Sequence, residues 1–307
     1  MSIFRRPAEK TANSEVDPTF LEDLELVSWR RFRTVYGNSG RLVQSLLREL
    51  FLGRNLDKNA GKLMDELIHQ GWHESASVPA VPFVARLLKV MPERLLPALI
   101  DLLLTIAIGF ETSCLGHKGL SGSNYSDQQA YDVVAASAHL LLPFLAHPAE
   151  AVQQEAIRFC GWMPNVKELS LPILRETSLK HSEDCRVTAY VALALLRDTQ
   201  TKVAQGSARV RYASTLVYLE THRLGDDELR TLLEMSRWRY EPERYAKTRS
   251  IGDIDAGPYG FSLMEYAVEL LHRLGPETVA KFRQQAVPGA MLTQVKTRQP
   301  WRSGSRG

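Results

Sequence analysis

Cysteine is scarce. Cys114, Cys160 and Cys185 are the three present, odd in number and far apart. No CxxC pair exists, which excludes a zinc knuckle and a thioredoxin-type motif. Each lies in or beside an apolar segment, where a free cysteine acts as a small hydrophobe, and a reducing compartment is expected. An excess of one charge is also lacking, since 38 Lys and Arg stand against 35 Asp and Glu, a net of +3. That balance makes nucleic acid or an acidic membrane an unneeded partner. Long apolar runs are missing too. The most apolar stretch, Leu95 to Gly109, falls short of the roughly 20 residues of a membrane span and contains Pro97 and Asp101. The opening MSIFRRPAEK has no apolar stretch behind its charges, so no secretory signal is expected. These absences together predict a soluble cytoplasmic chain.

Catalytic signatures are equally thin. There is no GxSxG elbow and no HExxH pair, and Lys118 precedes Gly119 where a phosphate loop needs Gly-Lys-Ser/Thr. His69 and His73, with Glu74 beside them, flank Gly71, which breaks the i,i+4 helical spacing a metal pair requires. The expectation is a non-enzymatic protein with no catalytic residue, no metal and no cofactor.

What is present is helical periodicity. Asp17-Pro18 reads as a helix start, and Phe20, Leu21, Leu24, Val27 and Phe32 can share one face. Leu42, Leu46, Leu47 and Leu50 mark a second helix, and a third runs from about Ala60 to Gln70 and is closed by Gly71. Further helices are expected at 80–90, 94–108, 127–146, 149–163, 168–179, 183–197, 207–222, 226–237 and 261–274. Short turns force such neighbours to pack antiparallel. Sustained period-two alternation and NG or DG turns are absent, so no sheet is expected. Asp226-Asp227 and Glu183-Asp184 sit where helices begin, complementing the macrodipole.

A pattern recurs within the array. Leu142-Pro143-Phe144-Leu145 precedes a helix centred on Ala156, and Leu171-Pro172-Ile173-Leu174 precedes one centred on Ala189. A third, weaker copy is Val210 to Leu216. Each unit is an apolar helix with an internal proline, a polar turn, and a helix with a small central residue. The pattern resembles HEAT-like repeats. A second resemblance covers residues 68–109, where Ile68-His69-Gln70-Gly71-Trp72 leads to Val78-Pro79-Ala80-Val81-Pro82-Phe83. This stretch is similar to the opening of a group of bacterial HEAT-like proteins whose pattern reads HQGxxYxAsxxAVPFL. Trp72-His73 departs from that order. Physically, Gly71 ends a helix, an extended strap follows, and Pro79 and Pro82 restart a helix at Phe83. His69 and Gln70 are expected to hydrogen-bond the strap's backbone. The resemblance implies an all-α, right-handed superhelical solenoid of antiparallel helix pairs over 18–290. A flexible tail over 1–17 and a flexible basic tail over 291–307 complete the expected organisation.

Two segments break the repeat rhythm. The loop Gly116 to Ser126 reads GHKGLSGSNYS, and Arg237 to Phe261 interleaves basic and aromatic residues. Trp, Tyr and Arg are the residues that anchor protein interfaces, so Trp238, Arg239, Tyr240, Arg244 and Tyr245, with His117, Lys118 and Tyr125, are the expected protein-binding set. The resemblance implies a binding protein whose partner is another protein. Within bacterial HEAT-like proteins one such role is immunity, in which a cytoplasmic inhibitor masks a cognate toxin or effector. The alternative is a HEAT-like DNA-binding or alkylpurine DNA glycosylase-type repair enzyme, which would draw on Trp238, Tyr240, Arg244 and Asp253. The near-neutral charge speaks against it. The iron-binding HEAT-like hydroxylases use repeated His-Glu pairs, and the single pair His73-Glu74 does not meet that pattern.

Overall fold

The computed structural model describes residues 17–69, 72–108, 128–238, 270–271 and 274–285. These residues are mostly helical: α1 (Phe20–Leu26), α2 (Arg41–Phe51), α3 (Leu56–Leu67), α4 (Ser77–Leu87), α5 (Leu96–Ile108), α6 (Gln128–Ser137), α7 (Glu150–Gly161), α8 (Lys167–Lys180), α9 (Glu183–Leu195), α10 (Ala208–Thr221), α11 (Asp226–Trp238) and α12 (Pro276–Gln285). Short 3-10 turns link several of them, and one 3-10 run, Ala138–Ala146, is nine residues long. Pro143 accounts for that run, since its ring and missing N–H oppose the α pattern there. Buried apolar side chains form one continuous core from Phe20 to Phe282. Among the described residues no helix is long and apolar enough to cross a membrane.

The N-terminal part differs from expectation in three places. Helix α1 stops at Leu26, so Phe32 does not share its face. Trp29 folds back instead, donating from Nε1 to the Leu24 carbonyl at 2.8 Å, and fills the core beside Phe83. Phe20 stacks on Phe51 with ring centroids 4.2 Å apart, which fixes α1 to α2. Helix α3 starts at Leu56, after a left-handed Asn55, and ends at Leu67. Ile68–His69 then pairs antiparallel with Trp72–His73, a two-residue ladder where no sheet was expected. Gln70 and Gly71 lie outside the described residues. The strap is shorter than predicted, because α4 begins at Ser77 and not at Phe83. Pro79 is tolerated there because the first N–H groups of a helix have no intrahelical partner anyway. Pro82 lies inside α4 and removes one ladder bond.

Among the described residues the strap is secured by Ser75, Ala76 and Ser77, and Gln70 lies outside them. Ser77 donates from Oγ to the Leu67 carbonyl, Ala76 N–H donates to the Arg33 carbonyl, and Ser75 Oγ accepts from Arg33 N–H. His69 points elsewhere, with Nδ1 3.3 Å from the Tyr36 hydroxyl. Asp17, assigned above to a loose tail, is engaged as well: Arg86 donates to Asp17 at 2.6 Å and to Asp23 at 2.7 Å. The same guanidinium lies over the rings of Phe20 and Phe83. Residues 1–16 and the predicted tail over 291–307 lie outside the described residues, as does most of the helix expected at 261–274. Helix α12 had no counterpart in the sequence reading.

The second half is a row. Helix α7 packs between α5 and α9, and α10 packs on the other side of α9. Helices α7 and α9 run in the same direction. Ser182 donates to Glu150 and Cys185 Sγ to Gln153 Oε1, both across 32 residues, while Gly161 meets Ala192 at the far ends. Helix α8 returns the chain between them, with Arg186 of α9 donating to the Ser178 carbonyl near the end of α8. Between α9 and α10 the return is made by a non-helical strap instead. It leaves at Arg197, which has a φ of 52°, and comes back to Arg186 at Gly206. Arg175 and Thr201 both bond Asp198 and pin the strap's start, and Ser214 Oγ accepts from Ala204 N–H nearer its end. Serine caps then restart each helix, Ser182 for α9 and Ser207 for α10.

Ala156 and Ala189, read above as the small residues of close helix contact, are fully buried. The tightest approach lies further along. A Cβ on Gly161 would stand 2.9 Å from the Cα and 3.0 Å from the Cβ of Ala192. Backbone cannot yield as a flexible side chain does. Gly161→Ala is therefore expected to destabilise by about 1–3 kcal/mol, and Ala156→Trp or Ala189→Trp by at least as much through overpacking. Thermal unfolding followed by far-UV circular dichroism checks this. An unchanged midpoint in Gly161→Ala contradicts the α7–α9 spacing.

Candidate functional site

The residues proposed for binding fall largely beyond what the structure describes. His117, Lys118, Tyr125, Arg239, Tyr240, Arg244 and Tyr245 lie outside the described residues, and Trp238 is described only as the last residue of α11. In the sequence His117, Lys118 and Tyr125 fall between the end of α5 and the start of α6. His73 sits in the short ladder, its Nδ1 buried with no hydrogen-bond partner. Among the described residues no three His, Cys, Asp or Glu side chains converge as a metal set would. Cys160 and Cys185 are both free and buried. Burial pushes the Cys160 thiol up to about 12, and burial likewise raises that of Cys185. Neither is a ready nucleophile, since the thiolate is the reactive form.

One cluster stands out chemically, and the sequence reading missed it. Glu155 and Arg158 lie one turn apart on α7, and Asp101 faces them from α5. A single nitrogen, Arg158 Nη1, donates to Asp101 at 2.6 Å and to Glu155 at 3.1 Å. Arg158 Nε is buried with no hydrogen-bond partner. The side chains of Arg158 and Glu155 are 16% and 22% exposed, so water screens the charges poorly. Burial pushes the Glu155 carboxyl up, the Arg158 charge pulls it back, and the Asp101 charge adds to the rise. The outcome is about 7. A carboxyl of that acidity exchanges its proton near neutrality. The signal in the sequence was Asp101 itself. A carboxylate amid LIDLLL on a helix with a buried flank needs a cationic partner.

The other ionic clusters differ in kind. Arg175 holds Asp198, which is nearly fully buried, and Arg209 of α10 bridges Glu183 and Asp184 of α9. Burial works to raise the Asp198 carboxyl, but bonds from Arg175 and Thr201 outweigh it and hold the group below the usual carboxylate range. That pair stays ionised at neutral pH and acts as a staple for the strap.

The Glu155 arrangement fixes a pH dependence. A carboxyl raised from 4.5 to about 7 by folding binds its proton more tightly in the native state. Its contribution is therefore fully present below pH 4.5 and lost as pH rises through 7. Glu155→Gln keeps the shape and cannot ionise. Relative to the parent chain, the variant is expected to gain stability between pH 5 and pH 8, on the order of 2–3 kcal/mol. Urea unfolding of both proteins across that range is the measurement. A stability difference that does not vary with pH refutes the assignment.

Comparison with family models, with curated proteins and with solved structures returned no match for this chain. A functional reading therefore rests on its own residues and their arrangement.

Proposed function

We propose that the chain is a non-enzymatic, protein-binding solenoid of HEAT-like repeats. The observation that carries this reading is the register of α7 on α9: same direction, 32 residues apart, joined through a returning helix. Units of this kind cannot bury their apolar faces alone, so they stack, and stacking leaves a long face on which a partner can lie. The strap before α10 then acts as a degenerate return segment, and α10 as a third copy of the inner helix. The partner in this proposal is another protein, with Trp238, Arg239, Tyr240, Arg244 and Tyr245 and the Gly116–Tyr125 loop as the contact region. Toxin immunity in the cytoplasm is the narrower form of the proposal, supported by the resemblance to bacterial HEAT-like proteins alone.

The charge arrangement favours a protein over nucleic acid. Arg86, Arg158, Arg175 and Arg209, four of the partly buried arginines, are each held by one or two carboxylates. Several others are matched as well: Arg48 by Glu25, Arg54 by Glu49, Arg94 by Asp57 and Arg211 by Glu234. Cations already neutralised have few counterions to release from phosphates. No binding to duplex or single-stranded DNA is expected at physiological salt. Submicromolar binding there, measured by fluorescence anisotropy, would favour the repair-enzyme alternative.

The interface itself is tested on Trp238. Affinity capture with the full chain as bait, followed by mass spectrometry, identifies the partner. Trp238→Ala is then expected to weaken that complex by about 2 kcal/mol or more while the melting temperature holds. A lowered melting temperature, with affinity falling only as the folded fraction falls, makes Trp238 a packing residue. Normal melting with normal binding removes this segment from the interface.

A further inference from the structure

Helix α5 packs on α7 mainly through apolar side chains, and its one charged residue, Asp101, bonds Arg158 of α7. Two carboxylates share one guanidinium nitrogen in this contact, while Arg158 Nε is shut from water without an acceptor. With both acids ionised the cluster carries one negative charge more than positive, and Glu155, unlike the more exposed Asp101, is poorly screened by water. With one proton added the cluster is neutral. The charge on the contact thus depends on a single proton.

The remaining charged groups around α7 are already engaged elsewhere. On α7 itself, Glu150 accepts from Ser182 and Gln154. From α9, Glu183 and Asp184 take Arg209, and Arg186 turns to the Ser178 carbonyl. From α8, Arg175 is bound to Asp198 and Lys180 to Glu176. From the 3-10 run before α7, His139 meets the Ala136 carbonyl, and His147, just beyond the run, accepts from Ala149 N–H. Arg158 and Asp101 are the charges that act on Glu155.

We propose that the α5–α7 contact is a proton-operated latch, in which the protonated Asp101–Arg158–Glu155 cluster keeps α5 seated on α7 and the deprotonated cluster lets the contact open. Opening admits water to Glu155, so its carboxylate is far better solvated in the open form than in the closed one. A group that prefers its proton in the closed state and its charge in the open state couples pH to opening. Burial is what separates the two preferences, and the raised pKa of the Glu155 carboxyl agrees with it. The local opening is confined to α5 and α7, the two helices that the cluster joins.

Hydrogen exchange read by mass spectrometry tests the latch on the full chain. Rates are measured from pH 5.5 to pH 8.5 and normalised to the intrinsic rate at each pH. Protection of peptides from α5 and α7 is expected to fall about tenfold between pH 6 and pH 8 and to lie below that of α9 and α10 at every pH. Glu155→Gln should keep the protection flat. Asp101→Asn should lower the midpoint of the Glu155 carboxyl, followed by carbon-13 NMR, since it removes the repelling charge. Equal protection of all helices at every pH means that they open only by global unfolding and overturns the latch. So does a fall that persists in Glu155→Gln, or a Glu155 midpoint near that of a free carboxyl.

Discussion

Helix α9 is buried without a break from Val187 to Leu196. A helix with no wet face imposes strict terms on its neighbours. Its side chains must be apolar or internally satisfied, and Thr188 meets that condition by donating to the Asp184 carbonyl. The helices around it must come close enough to leave no voids, which is why Gly161 faces Ala192 and why alanines recur along the helix. Its ends must be wetted or capped, and Ser182 at one end and the Asp198–Arg175 pair near the other do this. The direction of α7, the return through α8 and the strap to α10 are all solutions to enclosing this one rod.

Ion pairs then decorate the contacts between the parts, and their worth depends on depth. The Arg86 knot joins the start of α1 to α4 and shields Phe20 and Phe83 with its own plane. The Arg175 pair is a staple whose acid is held below the usual carboxylate range, and Arg209 ties α10 to two acids of α9. At α5 two carboxylates compete for the same nitrogen, and burial pushes one of them, Glu155, up. Buried charge that is only half compensated shifts its protonation sooner than it accepts the desolvation cost. The same Arg-to-acid chemistry thus holds the Asp198 carboxyl down in one place and leaves the Glu155 carboxyl raised in another.

Helices of the second half were legible because their signals are local. Apolar spacing, internal prolines and serine caps each act within one or two turns, and α7 to α11 begin within a few residues of the expected positions. The N-terminal third misled where tertiary contacts override local rules. Pro79 reads as a breaker only if its place in the first turn is unknown, and Trp29 ends α1 by bonding back to Leu24. The strap at 196–207 hides for a related reason, since nothing in its composition separates it from an ordinary turn. Glu155 was invisible altogether. An i,i+3 acid–base pair reads as a solvated face until α5 is laid against it, and no linear pattern connects residue 101 to residue 158.

The two proposals meet at one place in the chain. Helix α5, held by Asp101, ends at Ile108, and α6 begins at Gln128. The sequence between them contains the Gly116–Tyr125 loop proposed to contact a partner. Whatever loosens α5 changes the anchor from which that loop departs. By linkage the converse also holds: a partner that binds more tightly when α5 is seated draws a proton onto Glu155, and one that prefers it released drives the proton off. A ligand with no preference between the two seats moves neither. The contact between α5 and α7 is therefore where a neutral-range proton and a protein partner have a physical route to influence each other.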